Sequence, residues 1–100
     1  MLNPSDLAGA KAHLGTEVVL EGAVVNQSAS KTGDVRYLNF NRNFRNSISL
    51  VFFVKKSPDF SVEKLETFVG KQIRVRGVVE EYKDTLQIKV QNLSQIEVLP

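Results

Sequence analysis

The sequence predicts an all-β fold with one or two short helices: a five-stranded closed Greek-key barrel with a helix between the third and fourth strands. Three observations carry this expectation. Five short runs of apolar residues, most alternating with polar ones, are separated by turn-forming stretches. The only strong helix signal falls between the third and fourth runs. Gly22 sits inside the long first run, where a bulge or sharp bend would let one strand belong to two sheets. Closure suits a chain of 100 residues, because a barrel leaves no strand edge exposed.

The elements follow in order. Asn3-Pro4-Ser5-Asp6 reads as a helix start, with Asn3 or Ser5 as the cap and Pro4 near the first turn. Leu7, Ala8, Ala10, Ala12 and Leu14 supply one or two turns, closed by Gly15, so residues 1–15 form a lead-in helix. Residues 16–26 make the first strand and residues 27–33 (QSASKTG) a polar loop. Residues 35–41 make the second strand, with Leu38 and Phe40 on one face and Tyr37, Asn39 and Asn41 on the other. Residues 48–55 make the third, with Ile48, Leu50, Phe52 and Val54 inward and Ser49, Val51 and Phe53 outward. Ser57-Pro58-Asp59 opens a helix that runs to about Val69 and ends at Gly70, with Phe60, Leu65, Phe68 and Val69 as its buried stripe. Residues 71–82 alternate as the fourth strand, Lys83-Asp84 makes a tight turn, and residues 85–90 make the fifth with Leu86, Ile88 and Val90 inward. Residues 95–99 add a short closing segment.

Composition narrows the function classes. With 42% hydrophobic and 24% charged residues the chain reads as one ordinary globular domain, standing alone or excised from a larger protein. It has no cysteine, which excludes disulfides and Cys-based zinc sites. The longest apolar run, residues 50–54, is too short to span a bilayer, and residues 1–15 lack the pattern of a secretory signal. No membrane partner is expected, and the cytoplasm is the default compartment.

The net charge of +2 is unevenly spread. Residues 31–56 carry Lys31, Arg36, Arg42, Arg45, Lys55 and Lys56 against Asp34 alone, a local excess of +5. Focused positive charge attracts a polyanion. Catalysis finds little support. His13 is the only histidine and reads as a surface or helix-end residue. Glu80 and Glu81 are adjacent on a strand and point to opposite faces, so they cannot share a proton. No nucleophile–base spacing or phosphate loop is present. The expectation is a non-enzyme without a cofactor or metal.

In this order the pieces resemble the oligonucleotide/oligosaccharide-binding (OB) fold, and within it a bacterial accessory module of the tRNA-anticodon-binding-like class. "AKAHLGTEVVLEGAVV", "VRYLNFN", "ISLVFFV" and "LETFVGKQIRVRGVVEEYKDTLQIKVQNLSQIEVL" resemble its lead-in helix and first strand, second strand, third strand, and helix end with closing strands. The resemblance covers residues 7–99 and rests on order and spacing rather than on any one piece. It departs where such modules usually place glycine after "LNF"; here Asn41 stands, a residue that tolerates a left-handed backbone. The resemblance implies a ligand face on strands two and three, flanked by the first and fourth loops, and nucleic acid as the commonest ligand.

Single-stranded nucleic acid needs flat rings for the bases and cations for the phosphates. Tyr37 and Phe53 are the expected stacking platforms, and Asn39 the base-edge contact. Lys31, Arg42, Arg45 and Lys55 stand at the rims, Arg74 and Arg76 on the outward face of the fourth strand, and Lys89 on that of the fifth. Each has a plainer alternative. Tyr37 would cover the barrel end, and Phe53 would pack under the helix. Phe44 is expected to plug the barrel mouth, and Arg36 to lie at a barrel end. Arg74 and Arg76 would pair with Glu80 or Glu21. The competing function is a protein-interaction or accessory module that uses exposed Val51, Phe53 and Tyr37 on the same face, without nucleic acid. An oligosaccharide ligand is disfavoured by the basic bias.

Overall fold

The computed structural model describes residues 1–100. A short helix α1 (Leu7–Ala12) leads into strands β1 (Glu17–Ala23), β2 (Asn26–Ala29), β3 (Val35–Asn39) and β4 (Ser49–Phe53). Helix α2 (Val62–Glu66) follows, then β5 (Gln72–Tyr82), β6 (Thr85–Lys89) and β7 (Ile96–Val98). The strands lie in the order β1-β5-β6-β4-β3-β2, with β7 beside β5. All pairs are antiparallel except β4 with β6. The two ends of that order, β1 and β2, are halves of one chain segment, so the sheet curls back on itself.

The bend between β1 and β2 falls at Val24-Val25, not at Gly22. Val24 N–H donates to Lys71 O (3.0 Å), on the β5 side, and Val25 N–H to Asn39 O (2.8 Å), on the β3 side. The ladder runs unbroken through Gly22, which faces Ile73. Gly22 answers to crowding instead: a Cβ there would come within 2.6 Å of Pro4 Cγ and 3.2 Å of a Phe40 ring carbon. The N-terminal segment causes this by adding its own pairing, Leu2 N–H to Val19 O (2.8 Å) and Glu21 N–H to Leu2 O (3.1 Å). The strand signal also continues further than expected, since residues 26–29 pair with β3 and the loop shrinks to residues 30–34.

Both helices are shorter or start later than the sequence pattern predicts. Asp6, not Asn3 or Ser5, caps α1 by accepting from Gly9 N–H (3.0 Å); Asn3 instead accepts from Ser5 N–H (2.9 Å). The expected helix over residues 57–69 breaks in two because it holds two capping serines. Ser57 accepts from Asp59 N–H at the head of a 3₁₀ turn, Pro58–Phe60, and Ser61 accepts from Lys64 N–H at the head of α2. A residue whose side chain caps a turn has an extended backbone, so the second cap ends the first turn. The buried face survives the break: Phe60, Leu65 and Phe68 are buried, and Gly70 closes the segment with φ +83°.

The core matches the alternation in sequence. Leu20, Leu38, Ile48, Leu50, Phe52, Ile73, Val75, Val79 and Ile88 are all fully buried. Phe52 and Phe60 meet edge to face at 5.3 Å, joining the third expected strand to the segment before α2. The Lys83-Asp84 turn has φ of +49° and +64°, as a two-residue type I′ hairpin between Tyr82 and Thr85 requires.

Candidate nucleic-acid interface

The outer face of β2, β3, β4 and β6 is built in rows. Ser28, Tyr37, Val51 and Lys89 are register partners in one row, and Asn26, Asn39, Ser49 and Gln87 in the next. The second row continues to Glu80 on β5. Over it opens a cavity of about 470 Å³. Ser28, Tyr37, Asn39, Ser49 and Gln87 line it from the sheet, Phe44 and Arg45 from the β3–β4 connection, and Tyr82, Lys83 and Thr85 from the β5–β6 hairpin.

The asparagines of the β3–β4 connection shape that border. Asn41 Oδ1 accepts from Asn43 N–H (2.8 Å), and Asn43 Oδ1 accepts from Arg45 N–H (3.1 Å). These two side-chain turns set up the 3₁₀ turn Phe44–Asn46. Only Lys83 and Asp84 among non-glycine residues have positive φ, so Asn41 holds the connection through its side chain rather than a left-handed backbone. The result turns Phe44 outward: its residue is 49% exposed, and the expected plug of the barrel mouth is corrected. Arg45 lies over the Phe44 ring at 5.5 Å. Lys83 stands over the Tyr82 ring at 5.4 Å, and Lys89 over Phe53 at 4.7 Å.

The expected site residues fall in five places. Tyr37, Asn39 and Arg45 line the cavity. Phe53 and Lys89 share the same sheet face at its far end, with the Lys89 ammonium over the Phe53 ring. Arg42 is exposed in the adjoining connection, while Lys31 and Lys55 stand at the opposite end of β3, where Lys55 approaches Asp34 at 3.9 Å between largely exposed side chains. Arg74 and Arg76 are elsewhere. They lie on the part of β5 that pairs with β1, where Arg74 meets Glu21 (3.7 Å) and Glu97 (3.4 Å), and Arg76 meets Glu17 (3.7 Å). β5 changes partner from β1 to β6 at Val78–Val79, so its two halves belong to different parts of the curled sheet.

Asn39 lines the cavity but is only 5% exposed. Its Nδ2 donates to Asn26 Oδ1 (2.8 Å) and Ser28 Oγ (2.9 Å), and its Oδ1 accepts from Ser49 Oγ (2.9 Å). The amide binds strand to strand, which removes the expected freedom to read a base edge. Val51 is 2% exposed, so it offers no apolar contact to a partner. Arg36 Nε donates to Gln27, which in turn donates to Glu66 (2.8 Å), the last residue of α2.

Among the lining residues that sequence reasoning passed over are Tyr82, Lys83 and Gln87. Their signal was present, because Tyr82 shares the parity of Arg74 and Arg76 on an alternating strand and must also point outward. No ion pair engages Arg42, Arg45, Lys83 or Lys89. No group of three or more His, Cys, Asp or Glu gathers where a metal would sit.

No family model and no curated protein matches the chain. Solved structures do. An OBody bound to hen egg-white lysozyme aligns with a TM-score of 0.61 at 23% identity, over 89% of this chain and 83% of that one. The fold is an OB-fold. The S. pombe Stn1-Ten1 complex aligns with a TM-score of 0.61 at 13% identity, over 83% of this chain and 57% of that one. A putative aspartyl-tRNA synthetase from Leishmania major aligns with a TM-score of 0.60 at 14% identity over 97% of this OB barrel, which spans 20% of the synthetase chain. At these identities the likeness establishes the fold, and the function must come from the site. No helix of the barrel is long and apolar enough to cross a membrane.

Proposed function

We propose that this OB barrel is a binding module rather than an enzyme, and that its groove takes single-stranded nucleic acid, DNA or RNA, with weak sequence preference. One observation carries the reading: two exposed ring–cation pairs, Phe44 with Arg45 and Tyr82 with Lys83, line the same cavity as Tyr37. Rings accept stacked bases and the cations beside them accept phosphates. The cations are free of carboxylate partners, so no ion pair has to break before a phosphate binds. The matched aspartyl-tRNA synthetase, whose substrate includes an RNA, supports the same reading by analogy of fold.

Fluorescence anisotropy with labelled single-stranded DNA, single-stranded RNA and a duplex, at two salt concentrations, tests it. Single strands should bind more tightly than the duplex. With three or four phosphates engaged, log K should fall against log salt with a slope of about −2 to −3, at ~0.7 per contact. Phe44→Ala or Tyr82→Ala should each weaken binding by about 1–3 kcal/mol, the worth of one stacked base. Absence of binding at low salt would contradict the proposal.

A protein partner is the second reading, and it too has an observation behind it: two of the matched structures are protein complexes. Such a contact would use the same exposed rings and would change little with salt.

A further inference from the structure

We propose that Gln87 makes the groove prefer bases that carry an exocyclic amino group, cytosine over uracil in the simplest comparison, and that Glu80 sets this preference by fixing the Gln87 amide. The inference rests on the nucleic-acid reading above.

The polar row beneath the cavity has little hydrogen-bonding freedom. Both Asn39 amide hydrogens and its carbonyl are engaged by neighbouring strands. Ser49 spends its hydroxyl hydrogen on Asn39. Gln87, in the same row and also lining the cavity, differs. Its one side-chain hydrogen bond to the protein runs from Nε2 to Glu80 Oε1, at 3.1 Å across the β5–β6 pair.

A carboxylate can only accept, so an ionised Glu80 holds the amide in a single orientation. Nε2 is drawn toward β5 and Oε1 is left without a protein donor. An unrestrained glutamine would flip to serve a donor or an acceptor equally. Held in this way, Gln87 presents the groove with a carbonyl.

Tyr82 stands in the neighbouring row of the same face, paired with Thr85 as Glu80 is paired with Gln87. Diagonal neighbours of this kind lie roughly 7–8 Å apart, within the span of a base stacked on the Tyr82 ring. The amino group of cytosine, adenine or guanine projects beyond the ring and supplies the hydrogen that Oε1 lacks. Uracil and thymine place a carbonyl oxygen where cytosine has its amino group. Their only base N–H on that edge is flanked by two carbonyl oxygens, which would be pushed toward Gln87 Oε1 and the Glu80 carboxylate.

Oligocytidine and oligouridine of equal length isolate this difference, because the two bases differ only along that edge. Anisotropy titrations of both should give tighter binding of oligocytidine by about three- to tenfold, the worth of one neutral hydrogen bond. Glu80→Gln should bring the ratio toward one, since two amides can pair in either orientation, and Gln87→Leu should do the same by removing the acceptor. A purely structural role for either residue would weaken both oligomers alike and leave the ratio intact. Equal binding of the two by the unaltered protein, or a ratio that survives both substitutions, would overturn this inference alone. Binding of neither would overturn the nucleic-acid reading and this inference with it.

Discussion

Asn39 shows how one side chain can look like a ligand contact and be a structural tie. Its amide joins β2, β3 and β4 through three hydrogen bonds at a site that is 5% exposed. Replacing it with alanine strands the buried Ser49 hydroxyl and frees Asn26 and Ser28 from their tie to β3. Leaving a buried polar group unsatisfied costs about 1–3 kcal/mol, so Asn39→Ala should lower the unfolding free energy by that much, read in urea as a lower midpoint at unchanged m-value. The alternation around Tyr37 correctly gave the direction of Asn39, since both face outward from β3. What the sequence did not contain was the register that brings Asn26, Ser28 and Ser49 onto the same amide. Phe44 failed in the opposite sense. Two asparagine turns tip it out of the barrel, and a local run of Asn, Phe and Arg does not reveal which way the ring will point.

At the scale of elements, β5 decides which cations share a site. It serves β1 with its first half and β6 with its second, and Gly77 lies just before the change of partner. A Cβ on Gly77 would lie 2.4 Å from Ile88 Cγ2, the branch of a fully buried side chain that cannot swing away. Gly77→Ala should therefore destabilise the barrel by about 1–3 kcal/mol through overpacking, measurable by thermal melting. The hairpin at the end of β5 carries the reverse opportunity. Asp84 holds a φ of +64°, and glycine is the favoured residue at the second position of a type I′ turn. Asp84→Gly should raise stability by up to about 1 kcal/mol, a gain of a few degrees in Tm. Turn and strand alternation made this hairpin legible in sequence. The change of partner along β5 was not legible, because Arg74, Arg76, Glu80 and Tyr82 keep one parity throughout and only pairing separates them.

For the whole molecule, the uneven charge in sequence becomes two differently treated surfaces. The β1–β5–β7 surface matches its arginines to Glu17, Glu21 and Glu97. The surface over β3, β4 and β6 leaves Arg45, Lys83 and Lys89 against aromatic rings instead. Exposed ion pairs contribute little to stability, so the first arrangement chiefly neutralises that surface, while the second keeps its positive potential available to a polyanion. The order of strands and the intervening helix were readable from periodicity and capping residues. The groove required the folded barrel, since its walls come from the β3–β4 connection and the β5–β6 hairpin, far apart in sequence.

Backbone amide shifts followed by NMR as a single-stranded oligonucleotide is added would locate the binding face on the barrel. Shifts should concentrate at Tyr37, residues 44–46, residues 82–85 and Gln87, with the amides around Arg74 and Arg76 unmoved. Shifts concentrated on the β1–β5–β7 surface, or none at low salt, would contradict the proposed groove.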